Sequence, residues 1–155
     1  MNAPTLVIAL GNPGRGDDAL GPRLAARLEA LAPPGVECLT DFQLQVEYVL
    51  DLAGRRRVIF IDASVSAAPP FELFRLTASP DPSYSTHAMS PAALLATYRQ
   101  HYGEAPPPAW VLAIRGESFE LGAPLSAAAQ NHLEAAWDGL QNWLGGEDSE
   151  IRNEP

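Results

Sequence analysis

The chain carries a single cysteine, Cys38, so it can form no internal disulfide and no cluster of thiolate metal ligands. One thiol in a chain of this size suits a reducing compartment. No apolar run approaches the roughly 20 residues needed to cross a bilayer. The opening residues, Met1-Asn2-Ala3-Pro4, lack the basic region and apolar core of a signal peptide. A cytoplasmic protein without membrane contacts is therefore expected. Positive charge is also scarce. The formal net charge of -9 disfavours nucleic acid and anionic membranes as partners, and leaves a neutral or basic protein partner acceptable. Missing as well are the HExxH helix of zinc peptidases, the Gly-Lys-Ser/Thr ending of a P-loop and the G-x-S-x-G elbow of serine hydrolases.

What is present is an ordinary globular composition, with 46% hydrophobic and 19% charged residues in a 155-residue chain, enough for one compact core. Thr5 to Leu10 is a continuous apolar run ending in the glycine-rich turn Gly11-Asn12-Pro13-Gly14-Arg15-Gly16. Leu20, Leu24, Leu28 and Leu31 then recur at helical spacing until Pro33-Pro34-Gly35 stops the helix. Val36 to Thr40 reads as a second strand, Val46 to Leu52 as a short helix closed by Gly54, and Val58 to Ile61 as a strand covered on both faces. Phe71 to Leu76 is a fourth strand candidate. A Pro/Ser-rich loop from Thr77 to Ser90 leads to a helix over Pro91 to Tyr102, with Ser90 as N-cap and proline in its first turn. Trp110 to Ile114 is the last strand, and a helix follows from about Leu125 to Leu144.

Alternating strands and helices imply a three-layer α/β/α domain over residues 1–144, with a mostly parallel, roughly five-stranded twisted sheet. The polar tail, 145–155, is expected to be disordered.

Open sheets of this kind place chemistry beyond the carboxyl ends of their strands, and three polar positions fall there. Asp17-Asp18 follows the first strand. Acids at a helix start commonly cap it, but one suffices, so one is expected to cap and the other to face the cleft. Asp62 ends the apolar run of the third strand, where an N-cap or Asx-turn role competes with a ligand role. His87 precedes the capped helix, whereas His101 and His132 lie on helices away from any strand end. Two carboxylates and one imidazole from three connections make an open O,O,N metal site for zinc, nickel or a similar ion.

Other readings are weaker. Gly11, Gly14, Gly16 and Gly21 between strand and helix suggest a phosphate cradle, with Asp41 placed as a ribose-binding acid. However, the spacing is G-x-x-G-x-G, and Asp17 and Asp18 put negative charge where phosphate would sit. Ser64 or Ser66 with His87 could make a serine hydrolase only with an elbow that is missing. Cys38 reads as a packed thiol, the three tryptophans as packing residues, and Arg55-Arg56-Arg57 as solvated surface.

At this point the residues resemble a known family. Leu10-Gly11-Asn12-Pro13 through Gly16-Asp17-Asp18-Ala19-Leu20-Gly21, Val58 through Ala63, Thr86-His87-Ala88-Met89-Ser90-Pro91 and Glu117 through Gly122 form four ordered blocks similar to those of the maturation endopeptidases of NiFe hydrogenases, peptidase family M52. The resemblance covers nearly the whole chain up to the final helix. It implies an aspartyl-type endopeptidase that removes a short C-terminal extension from a nickel-loaded large-subunit precursor. Asp18, Asp62 and His87 would be both the metal-contacting and the catalytic residues. The nickel would come with the precursor, so that no permanent cofactor is required, and the chain would act as a monomer. Many members have a glycine- and threonine-rich substrate-selecting segment after the second strand. Here that stretch is Asp41 to Glu47, where Asp41 retains the acidic, substrate-binding position and the glycines are gone. The Leu10 to Gly14 string also resembles peptidyl-tRNA hydrolases, but those place a histidine where this chain has Asp17-Asp18-Ala19. A nickel-sensing assembly factor that binds the precursor without cutting it is the non-enzymatic alternative.

Overall fold

The computed structural model describes residues 2–80 and 89–146. His87 and residues 147–155 of the expected tail lie outside the described residues. Five strands form one sheet: β1 (Thr5–Leu10), β2 (Val36–Asp41), β3 (Arg57–Ser64), β4 (Phe71–Leu76) and β5 (Ala109–Arg115). Their order is β2-β1-β3-β5-β4. All neighbouring pairs are parallel except β4 with β5, which gives the sheet one antiparallel edge. Among the described residues four α-helices complete the architecture: α1 (Leu20–Leu31), the single turn α2 (Val49–Leu52), α3 (Pro91–Tyr102) and α4 (Ala127–Gly145).

Side-chain alternation along the strands builds the two cores. Val7, Ala9, Ile59, Ile61, Leu112 and Ile114 face α1 and α4, packing against Leu24, Leu28, Ala136 and Leu140. Leu6, Ile8, Val58 and Phe60 face the other way, onto Leu52, Leu94, Leu95 and Tyr98 of α2 and α3. β1 and β3 are thus buried on both faces, which is why they read as unbroken apolar runs. The expected three-layer α/β sheet is what forms.

Helix starts follow local chemistry. The Ser90 and Ser126 hydroxyls accept from the amides of Ala93 and Ala129, capping α3 and α4. The basic triplet differs from its expected role as solvated surface, because Arg55 and Arg57 are buried. Arg57 donates to the carbonyls of Trp143 and Leu144, both at 2.8 Å, and to Thr5 Oγ1 at 3.0 Å. Its guanidinium also stacks 4.3 Å over the Trp143 ring. A cation thereby closes the C-terminus of α4, where the helix dipole favours it, and ties that helix to β1. Arg55 bonds the carbonyls of Asp51 and Ala3 and pairs with Glu37 at 2.7 Å.

Two glycines let α1 begin hard against the sheet. Gly11 leaves β1 at φ +142°, and a Cβ there would run into the Asp18 carbonyl. At Gly21 a Cβ would lie 2.4 Å from the Leu10 carbonyl oxygen and 3.3 Å from that of Ile61. The glycine-rich turn therefore serves close approach of the helix to the ends of β1 and β3, a packing role that needs no phosphate. Gly21→Ala should accordingly cost about 2–3 kcal/mol of stability, as overpacking against fixed backbone does. Chemical denaturation checks it, and a loss well under 1 kcal/mol would show that α1 can move away freely.

Candidate active site at the carboxyl ends of β1 and β3

The connection after β1 runs to β2 over one face of the sheet, and that after β2 runs to β3 over the other. The order β2-β1-β3 then leaves a crevice between the carboxyl ends of β1 and β3, where the winding direction reverses. Asp18 and Asp62 stand at this crevice. β1 pairs with β3 only as far as Ala9 with Ile61, whereas β3 continues to Ser64 alongside β5. Asp62 therefore projects past the last β1 pairing. It lies within the strand, and not after it as the apolar run alone suggested.

Asp18 sits in the 3-10 turn Gly16–Ala19 that precedes α1. Its Oδ2 accepts from the Asn12 amide at 2.7 Å, fixing the carboxylate against the turn that leaves β1. Asp62 is partly buried, and its Oδ1 accepts only from the amide of Ala63, at 2.8 Å. Burial pushes its carboxyl from the ordinary 3.8 up to about 7. The Ala63 amide pulls the other way, and the nearby Asp18 charge adds to the rise. The Asp18 charge is thus felt at Asp62 across the crevice, and no arginine pairs with either among the described residues.

Asp17 differs from its expected helix-capping role. Neither the 3-10 turn nor α1 has a side-chain cap. Asp17 is instead fully buried and reaches about 100 residues along the chain. It accepts from the amides of Glu117 (2.7 Å), Ser118 (3.3 Å) and Ser126 (2.7 Å), and from the Ser126 hydroxyl (2.8 Å). Burial alone would raise its pKa, but these donors outweigh it and hold the carboxyl below the ordinary value. A buried anion with four donors locks the Asp18 turn to the connection between β5 and α4. His132 also departs from expectation: its Nδ1 lies 3.0 Å from the Arg115 carbonyl, at the end of β5. No local signal announces either contact, because both partners come from distant sequence.

Asp41 closes β2, one strand from the crevice. Its carbonyl accepts from the Gly11 amide at 3.0 Å. Its carboxylate takes the Tyr48 hydroxyl at 2.9 Å and the Phe42 amide at 2.6 Å. The Tyr48 phenol is pushed up to about 12, by burial and then by that carboxylate. Ser64 and Ser66 bond each other at 3.1 Å, a local turn. Burial, with help from the Glu29 charge, raises the half-buried Cys38 thiol to about 12, so it stays protonated and is not a nucleophile. Among the described residues no three His, Cys, Asp or Glu side chains converge as a metal-ligand group. The pair Asp18–Asp62 is what those residues bring together, while His87 lies outside them.

An open, mostly parallel sheet with two neighbouring carboxylates at its reversal point defines an α/β scaffold with an acidic cleft. Solved structures narrow that class. The hydrogenase maturating endopeptidase HybD from E. coli is 28% identical, with 93% of this chain and 92% of that chain covered and a TM-score of 0.70. An endopeptidase from Escherichia coli is 26% identical over 93% and 92%, also at 0.70. The NiFe hydrogenase maturation protease HycI from Thermococcus kodakarensis KOD1 shares the fold at 21% identity, over 93% and 94%, with a TM-score of 0.71. No family model matches the sequence, and no curated protein does. The chain is thus similar in fold and in sequence to hydrogenase maturation endopeptidases, which are peptidases.

The raised Asp62 pKa carries a sign that can be tested. A folded-state value above the unfolded one makes the protonated carboxyl the stabilising form. Stability is then fully present below about pH 4 and is lost as pH rises through about 7. Asp62→Asn should therefore stabilise the fold at pH 8 relative to the parent by at least about 1 kcal/mol, the worth of a single pKa unit. That gain should vanish near pH 4. Denaturation at the two pH values checks this, and an equal effect at both would contradict it.

Proposed function

We propose that the chain is an endopeptidase that removes a short C-terminal extension from the nickel-loaded large-subunit precursor of a NiFe hydrogenase. The observation that carries this reading is the Asp18–Asp62 pair: two coupled carboxylates without a cationic partner at the reversal point of the sheet. Such a pair suits a cation brought by the substrate. The likeness to hydrogenase maturation proteases supports the same substrate class. The precursor is the partner, and the chain works on it as a cytoplasmic monomer. No described helix is long and apolar enough to cross a membrane.

In this reading, Asp18 and Asp62 contact the precursor's nickel with carboxylate oxygens, and His87 supplies the imidazole contact that the family resemblance implies. A positive ion between the acids offsets both the burial and the repulsion that keep a proton on Asp62, so substrate binding draws that proton off. The ion also polarises the scissile carbonyl or its attacking water. A water oxygen adds to the carbonyl carbon while a carboxylate of the pair or His87 takes the proton. The C–N bond then breaks, and the proton passes to the leaving amine. Asp41 stands one strand away, where its carboxylate can meet the substrate chain.

The test is the mass of the precursor before and after incubation, with nickel-loaded and nickel-free precursor side by side. The loaded form should lose a C-terminal peptide and the nickel-free form should not. Asp18→Asn and Asp62→Asn should slow processing by at least about 100-fold, the scale of a lost charge-stabilising group. Full processing by both variants would remove this site. Unchanged mass with stable complex formation would make the chain an assembly factor.

A further inference from the structure

The glycine-rich turn after β1 carries one residue that close packing of α1 does not require. Arg15 is exposed, yet its backbone is fixed within the turn that holds Asp18. Its amide donates to the Asn12 carbonyl at 3.1 Å, and its carbonyl accepts from the Asp18 amide at 3.0 Å. Asn12 in turn donates to the Asp18 carboxylate. The β5–α4 connection is bonded to the same turn. The Gly122 amide donates to the Gly14 carbonyl at 2.8 Å, and the Gly16 amide to the Ala123 carbonyl at 3.1 Å. Leu121, next to Gly122, is 68% exposed. A cation and a large apolar side chain thus stand on neighbouring turns at the rim of the crevice.

Among the described residues Arg15 forms no ion pair, although Glu120 is exposed on the adjoining connection. Arg115, at the end of β5, is by contrast engaged: it lies 3.5 Å from Glu117 and donates to the Ala67 carbonyl. In a chain of net charge -9, with Asp18 and Asp62 in the crevice, an arriving anion meets repulsion from the acids. Arg15 is placed to offset it, and a guanidinium takes a carboxylate through two parallel N–H donors. Every peptide cut from the C-terminal end of a chain carries such an anion. It has its terminal carboxylate, besides any acidic side chains.

We propose that Arg15 and Leu121 hold the C-terminal extension that is to be cut away, the guanidinium on a carboxylate of that extension and the leucine against one of its apolar side chains. This assignment rests on the peptidase reading above and adds substrate-selecting residues outside the acid pair. The acids take the cation on one side of the scissile bond, and the rim takes the anion beyond it. Contacts on both sides fix the position of the bond between them. The carboxylate is either the terminal one or that of an acidic side chain, since both present the same two oxygens to the guanidinium fork.

The experiment is steady-state cleavage of the nickel-loaded precursor by the parent, Arg15→Gln, Arg15→Glu and Leu121→Ser. Arg99→Gln, exposed in the last turn of α3, is the control, and circular dichroism confirms each fold. Four precursors are compared: the natural one, one whose extension is ligated as a C-terminal amide, one whose extension has its acidic side chains replaced by their amides, and one with both changes. On the natural precursor Arg15→Gln should raise KM about fivefold, the upper end for an exposed ion pair, with kcat within about twofold of the parent. Arg15→Glu should raise KM further, Leu121→Ser should raise it too, and Arg99→Gln should not. On the precursor with both changes the Arg15→Gln effect should vanish, a coupling that a merely structural role would not produce. The single change that abolishes the effect identifies the carboxylate. An unchanged KM in both Arg15 variants overturns the proposal and leaves the peptidase reading intact, and so does a rise of equal size on all four precursors. An unchanged KM in Leu121→Ser overturns the apolar contact. Failure of the parent to cut the natural precursor would bring down the peptidase reading, and this assignment with it.

Discussion

Like charges at the carboxyl ends of β1 and β3 are the constraint around which the rest of the molecule is arranged. Asp62 stands on the part of β3 that outruns its β1 pairing, partly out of water and with a single amide donor. Asp18 faces it from the turn that leaves β1. Neither would choose this neighbour. Burial and mutual repulsion raise the proton affinity of Asp62, and the unfavourable arrangement persists because the surrounding backbone allows no retreat.

That backbone is held from three directions. Gly21 brings the start of α1 against the carbonyl ends of β1 and β3, and Gly11 turns the chain beneath the Asp18 carbonyl. Buried Asp17 then pins the same turn to the β5–α4 connection by accepting four hydrogen bonds. Adjacent acids of nearly identical chemistry thus have opposite fates. One is satisfied by four donors of the protein, while the other faces the crevice with a single backbone donor among the described residues. In the 55–57 triplet, Arg55 and Arg57 are both satisfied inside the fold, Arg57 closing α4 and Arg55 pairing with Glu37.

Much of this was legible in the chain itself. Apolar runs marked β1 and β3 because both are covered on two faces, and Ser90 marked the start of α3 through a hydroxyl that does cap. Asp62 was marked by the rule that open sheets react at their carboxyl ends, whereas Asp18 and Asp41 were singled out by the family resemblance. What local sequence did not show was anything joining distant segments: Asp17 to Ser126, His132 to Arg115, Arg57 to Trp143. Such contacts depend on the order of strands, and an antiparallel β4 at the far edge is not encoded in the pattern of Phe71–Leu76 alone. Residue types at those positions are compatible with exposed roles, and only packing decides otherwise.

The central claim is that Asp62 holds its proton near neutrality because it is buried beside Asp18. Carbon-detected NMR titration of the Asp62 side-chain carboxyl, in the parent and in Asp18→Asn, measures this directly. The account predicts a midpoint near 7 in the parent, and a lower one in the variant that still exceeds the ordinary 3.8, since burial remains when the neighbouring charge is gone. A midpoint at the ordinary carboxylate value in both proteins would contradict it.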